Sequence, residues 1–238
     1  YIASANRPPD TMKNPFPDLS RYVGEFPQRD FESYLQEQIE RVSDPVASPL
    51  SGANVEQASH IYGLTRLMSE WSGYVNVVET GTANGVFSLS ILLGISHSPY
   101  PGSLYTIGLP FRTGDDIENH RKKTWAGFKG ARTPKRKPTG WFATENPFFD
   151  LHNLGSSPPS LHRFEGLVQS QLPHIFCLDN PDPNLWVFDS GHDAPTQTFE
   201  LEFSFHHGRK DAVIFMDDRA FDGTDAVSPV AEKYGAHI

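Results

Sequence analysis

The stretch that decides the fold is Val77-Val78-Glu79-Thr80-Gly81-Thr82-Ala83-Asn84-Gly85-Val86-Phe87-Ser88. It closes a short β-branched run, Tyr74 to Glu79, long enough for one buried strand. Thr80 to Gly85 then reads as a glycine-bearing turn, Val86 to Ile95 as an apolar segment of helical length, and Ser103 to Leu109 as a second strand. Strand, tight turn, helix, strand is the order that builds a parallel sheet through crossover helices. Glycines let the backbone approach a ligand closely, and a helix N-terminus offers free N–H groups. In open α/β sheets such ligands lie at the carboxyl ends of the strands. An ordinary strand-to-helix turn with no ligand would use the same residues. The spacing is not G-x-G-x-x-G, which disfavours a dinucleotide pyrophosphate and a nicotinamide oxidoreductase.

Upstream, residues 1–28 are proline-rich and aperiodic and read as an irregular arm. Residues 30–43 predict a helix capped by Asp30, and residues 54–72 a second one capped by Asn54. Downstream, residues 110–160 carry no periodic element. A strand is expected around 162–168, a short connection over 169–184, and strands at Leu185–Phe188 and Ala212–Met216. Between the last two, residues 198–206 alternate with period two, which argues strand. Asp193, Pro195 and Gly208 instead mark the start and stop of a helix. A crossover between parallel strands favours the helix. Ala226 to Tyr234 predicts a last helix.

The segment Glu79-Thr80-Gly81-Thr82-Ala83-Asn84-Gly85 resembles the E/D-x-G-x-x-x-G motif of class I S-adenosylmethionine-dependent methyltransferases. With Thr82 and Ser88 it looks like the branch holding small-molecule O-methyltransferases and cephalosporin-hydroxylase-like proteins. The resemblance covers about residues 55–235, outside the 110–160 insertion. It implies an α/β fold with a Rossmann-like, mainly parallel sheet and flanking helices. It also implies S-adenosylmethionine as cofactor, held by Glu79, Gly81, Thr82, Asn84, Gly85 and Ser88. Phe188-Asp189-Ser190-Gly191-His192 resembles the family's D-G-x-H after the fourth strand, and Met216-Asp217-Asp218 its acidic pair after the fifth. By that resemblance Asp189, Asp217 and Asp218 would ligate Mg2+, a hard cation suited to carboxylate oxygens. The ion would lower the pKa of a substrate hydroxyl. Asp189 and His192 are then the catalytic candidates, with His192 as a general base or as a residue that holds a ligand in place. Read without the resemblance, Asp189 and Asp193 cap a helix and Asp217 and Asp218 are solvated turn residues.

The chain departs from the family at three points. Gly108 stands near the end of the second strand, where the family has an acid for the ribose hydroxyls. Leu167 stands after Gly166, where the family has an acid near the adenine. After Met216 only 22 residues remain, so the family's final β-hairpin is expected to be missing. Another chain, a second copy or the N-terminal arm would then cover the open sheet edge. A Tyr1 start rather than Met fits a processed piece.

Composition sets the outer limits. The 238 residues are 37% hydrophobic and 21% charged, which supports one large domain with a packed core. The division expected is an N-terminal arm and helix over 1–50 and a methyltransferase-like domain over 51–238. No apolar run approaches the ~20 residues of a membrane span. Cys177 is the single cysteine, expected to be buried and inert. The net charge of −9 argues against nucleic acid and anionic membranes, and a cytoplasmic location is expected. That charge is uneven. Residues 121–137 hold eight of the twenty Lys and Arg and no acid, leaving −17 elsewhere. The cluster reads as a solvated loop or as a lid for an anionic small molecule. His206-His207 reads as surface, since adjacent residues point to different sides. The function expected is methyl transfer to a small molecule. The alternative is a non-catalytic methyltransferase-like scaffold or interaction module.

Overall fold

The computed structural model describes residues 2–3, 19–33, 52–82, 85–108, 159–191, 193–217 and 225–236. Among these residues six strands make one sheet in the order β1-β6-β5-β2-β3-β4. They are β1 (Ile2–Ala3), β2 (Val75–Thr80), β3 (Gly102–Gly108), β4 (Ser160–Glu165), β5 (Leu185–Phe188) and β6 (Val213–Met216). Strands β2 to β6 run parallel. The short β1 lies antiparallel on β6, with Ile2 opposite Ile214 and Ala3 opposite Val213. This N-terminal strand takes the edge beside β6. The helices are α1 (Leu19–Gly24), α2 (Gly52–Ser72), α3 (Val86–Ser96), α4 (Val168–Leu178), α5 (Ala194–His207) and α6 (Val227–Lys233). Residues 28–33 are also helical.

Strand residues alternate between two cores, because successive side chains leave a strand on opposite faces. Val75, Val77, Leu104, Leu185, Val187 and Val213 pack with α2 and α3. Val78, Tyr105, Ile107, Trp186, Phe188 and Ile214 pack with α4, α5 and α6. Helices therefore cover both faces, the α/β Rossmann-like arrangement expected. Helix α3 is buried along Phe87 to Ser96 and has no polar stripe, as a helix enclosed on all sides requires. A β-carbon on Gly94 would meet the Thr65 side chain at 2.8 Å, so glycine sets how closely α3 and α2 approach.

Several expectations need correction. The supposed connection over 169–184 contains α4. Val168, Leu172 and Ile175 are its buried stripe, and Pro173, which cannot donate a backbone hydrogen bond, masked the helix in the sequence. The strand expected at 162–168 lies at Ser160–Glu165, where pairing with β3 sets its register. Asp30 lies inside the helical stretch 28–33 rather than capping it. Cys177 is exposed, not buried. The period-two segment is helix α5, capped by Asp193, whose carboxylate accepts the Thr196 amide at 2.9 Å. Its inward face is Gln197, Glu200, Leu201 and Ser204. His206 and His207 are exposed, as expected. The basic residues 121–137 lie outside the described residues. No described helix is long and apolar enough to cross a membrane.

Candidate active site at the strand ends

Strand order reverses direction at β2. The chain runs outward to β3 and β4 and then returns to β5 and β6 on the other side. The crevice at such a switch point is where open α/β sheets bind ligands. Backbone ladders carry the candidate residues to this edge. The Asp189 amide donates to the Thr80 carbonyl at 2.9 Å, and the Asp217 amide to the Phe188 carbonyl at 2.9 Å. Asp189 and Asp217 thus leave neighbouring strands at the same level.

The turn after β2 is tied to β3. The Gly81 and Thr82 amides both reach the Ile107 carbonyl, at 2.8 and 3.1 Å. Gly81 (φ 87°) and Gly85 (φ 75°) are left-handed, a conformation that glycine alone adopts without cost. The clearance at Gly81 is taken up by the backbone of Asp189 and Ser190. The resemblance implied clearance for a cofactor at this glycine; here the loop after β5 fills it.

Beneath the turn lies a buried polar chain. Glu79 is fully buried, and its Oε2 accepts hydrogen bonds from the Ser88 and Thr106 hydroxyls. The Thr82 hydroxyl bonds in turn to that of Thr106. Burial pushes the Glu79 carboxyl up, and the Ser88 and Thr106 hydroxyls and the Ser88 backbone amide pull the other way. Its Oε1 is buried with no partner. A lone buried carboxylate oxygen costs roughly 1–3 kcal/mol, so the position suits a cationic or N–H-bearing group.

Three contributors were not foreseen. Thr106 completes the Glu79 chain. Gln57, near the start of α2, donates to Asp217 Oδ1 at 2.8 Å. Glu200 of α5 is 1% exposed and accepts from the Thr80 and Ser190 hydroxyls. The signal for Glu200 was a polar residue on the three-to-four-spaced stripe with Gln197, Leu201 and Ser204. A period of two would instead set Glu200 opposite the apolar side. Gln57 carried no such signal.

Of the predicted site residues, the structure brings together Glu79, Gly81, Thr82, Gly85, Ser88, Asp189 and Asp217. Asn84, His192 and Asp218 lie outside the described residues. Among the described residues no three His, Cys, Asp or Glu are grouped to hold a metal ion. Gly108 packs against Thr82, whose Oγ1 would lie 2.8 Å from a β-carbon there. Leu167 is 63% exposed at the start of α4.

No protein-family model matches the sequence. No curated protein matches it. Among solved structures, the chain is similar to an O-methyltransferase of tomaymycin synthesis from Streptomyces achromogenes, solved with S-adenosylmethionine. The TM-score is 0.50 at 14% identity, over 92% of this chain and 85% of that one. It is also similar to a Podospora anserina methyltransferase bound to S-adenosylhomocysteine (TM-score 0.49, 13% identity, 91% and 82% covered). A third is a Bacillus cereus O-methyltransferase in complex with S-adenosylhomocysteine (0.48, 16%, 90% and 82%). The chain shares its α/β Rossmann-like fold, parallel strands β2 to β6 with helices on both faces, with the Streptomyces achromogenes O-methyltransferase.

Proposed function

We propose that the chain is an S-adenosylmethionine-dependent methyltransferase acting on an oxygen of a small molecule. The observation that carries the reading is the partnerless Glu79 Oε1 under the glycine turn, at the switch point of the sheet. A buried acceptor there suits the ammonium end of the cofactor. Bound S-adenosylmethionine supplies an electrophilic methyl group on its sulfonium.

The chain's own residues orient the reactants. The turn after β2 is held by Ile107, and the loops after β5 and β6 present Asp189 and Asp217 beside it. Holding two reactants in line removes much of the entropic barrier. Asp189 and Asp217, with Asp218, are proposed to hold Mg2+, an ion often bound by one or two carboxylates plus water and substrate oxygens. The ion would lower the pKa of a coordinated hydroxyl. His192 is proposed to accept the hydroxyl proton, and the basic residues 121–137 favour an anionic acceptor.

Calorimetric titration with S-adenosylmethionine and S-adenosylhomocysteine, with and without Mg2+, tests this. Micromolar binding of both is the expected result. A second reading, a methyltransferase-like module without catalysis, is favoured by Gly108, which offers no acid for a ribose. Absence of binding under every condition overturns the first reading in favour of the second.

A further inference from the structure

Glu200 is a buried carboxyl that the chemistry above does not use. Burying a carboxyl is a costly way to fill space. An apolar side chain would fill it without that cost but could not accept hydrogen bonds. Both donors that reach Glu200 come from the ends of central strands. Thr80 is the last residue of β2 and directly precedes Gly81; Ser190 follows Asp189. Both hydroxyls donate to the same oxygen, Oε1. The two segments touch there, since the Asp189 carbonyl fills the side-chain space of Gly81. On the far side, Gly191 is pressed on Thr196, whose Cγ2 would lie 2.9 Å from a β-carbon. The loop after β5 is thus wedged between the glycine turn and the first turn of α5, with its one inward hydroxyl held by Glu200.

We propose that Glu200 is a positioning residue that clamps the turn after β2 to the loop after β5 and so sets the width of the ligand cleft. The clamp stands on geometry alone; its effect on ligand affinity rests on the cofactor reading above. Burial raises the Glu200 carboxyl to about 7, with Ser190 and Thr80 opposing the shift, which marks the cost of placing an acceptor there. Because Oε1 is the acceptor, a glutamine amide oxygen can replace it.

The test uses amide hydrogen exchange and calorimetry on the intact chain. Glu200→Leu is expected to speed exchange of the Gly81 and Asp189 amides by about tenfold or more while mid-strand Val77 and Val187 stay within about twofold. Glu200→Gln should stay within about threefold of wild type at all four. Ser190→Ala, at a half-buried position, removes the loop-side donor alone and should speed Asp189 selectively even if Glu200→Leu fails to fold. Leu201→Ala, in the same helix, should lower Tm without this local pattern. S-adenosylhomocysteine affinity should fall about tenfold in Glu200→Leu and recover in Glu200→Gln.

Exchange at Gly81 and Asp189 that is unchanged in both Glu200→Leu and Ser190→Ala overturns the clamp, whether or not the cofactor binds. Local loosening with unchanged affinity overturns the positioning role. A wild type that binds neither cofactor overturns the cofactor reading, and the exchange pattern then decides the clamp by itself.

Discussion

Gly81 and Asp189 share one volume. A β-carbon built on Gly81 would lie 1.8 Å from the Asp189 carbonyl oxygen and 2.2 Å from its carbonyl carbon. No rotamer relieves a clash with backbone, so any side chain at 81 must separate the ends of β2 and β5.

Gly81→Ala is therefore expected to be severely destabilising. The left-handed backbone alone costs about 1–3 kcal/mol with a β-carbon, and the clash adds to it. Urea unfolding should show a loss above 2 kcal/mol or no folded protein. A loss below about 1 kcal/mol would mean the two strand ends are not in contact.

Glu200 makes stability fall as pH rises. Its carboxyl stands at about 7 against an ordinary 4.5. Between those values the folded chain binds more protons than the unfolded chain, so the contribution is fully present below about 4.5 and is lost as pH rises through about 7. Glu200→Gln removes this term. Its stability relative to wild type should climb from about pH 5 to 8 by up to a few kcal/mol and then level off. A difference independent of pH in urea titrations would refute the assignment.

Gln57 separates structural from ligand-holding roles at Asp217. Gln57→Leu should cost about 1–3 kcal/mol, since a carboxylate oxygen loses its donor. Asp217→Asn keeps an acceptor and should unfold near wild type. Under the proposed metal role, Asp217→Asn and Asp189→Asn should lose any Mg2+-induced rise in Tm that wild type shows.

Thr82 and Gly108 should be coupled. Gly108→Ala places a β-carbon 2.8 Å from Thr82 Oγ1 and 2.9 Å from its Cβ. Overpacking of this kind costs about 1–3 kcal/mol. In a Thr82→Gly background the penalty should shrink, giving a coupling of at least about 0.5 kcal/mol in a double-mutant cycle. Additive effects would show that the two side-chain spaces do not meet.

Arg66 fastens α1 to α2. Its guanidinium lies 5.4 Å from the Tyr22 ring and 3.4 Å from Glu70, and it donates to the Tyr62 hydroxyl at 3.1 Å. The Tyr22 hydroxyl also donates to Glu70, and burial raises it to about 12. Arg66→Met should expose the chain around Arg21 to limited trypsin digestion while leaving unfolding of the sheet near wild type. Unchanged cleavage would refute the fastening.

Local information in the sequence determined much of the fold. The β-branched run before Glu79, the glycines at 81 and 85 and the apolar run after them specify β2, its turn and α3. Asp193, Pro195 and Gly208 delimit α5 against a misleading period of two. These signals act over a few residues, because dihedral preferences and capping bonds are short-range. Where local signals conflicted they were less legible: Pro173 obscured α4, and the pairing of β4 with β3 shifted its bounds.

Strand order decided the rest. It places β5 beside β2, and from that follow the contact of Gly81 with Asp189, the Thr80–Glu200 bond across 120 residues and the Gln57–Asp217 bond across 160. A resemblance in the motif could nominate Glu79, Asp189 and Asp217. Which donor meets each carboxyl, and which loop packs on Gly81, depends on packing between distant segments, and only the folded chain sets that.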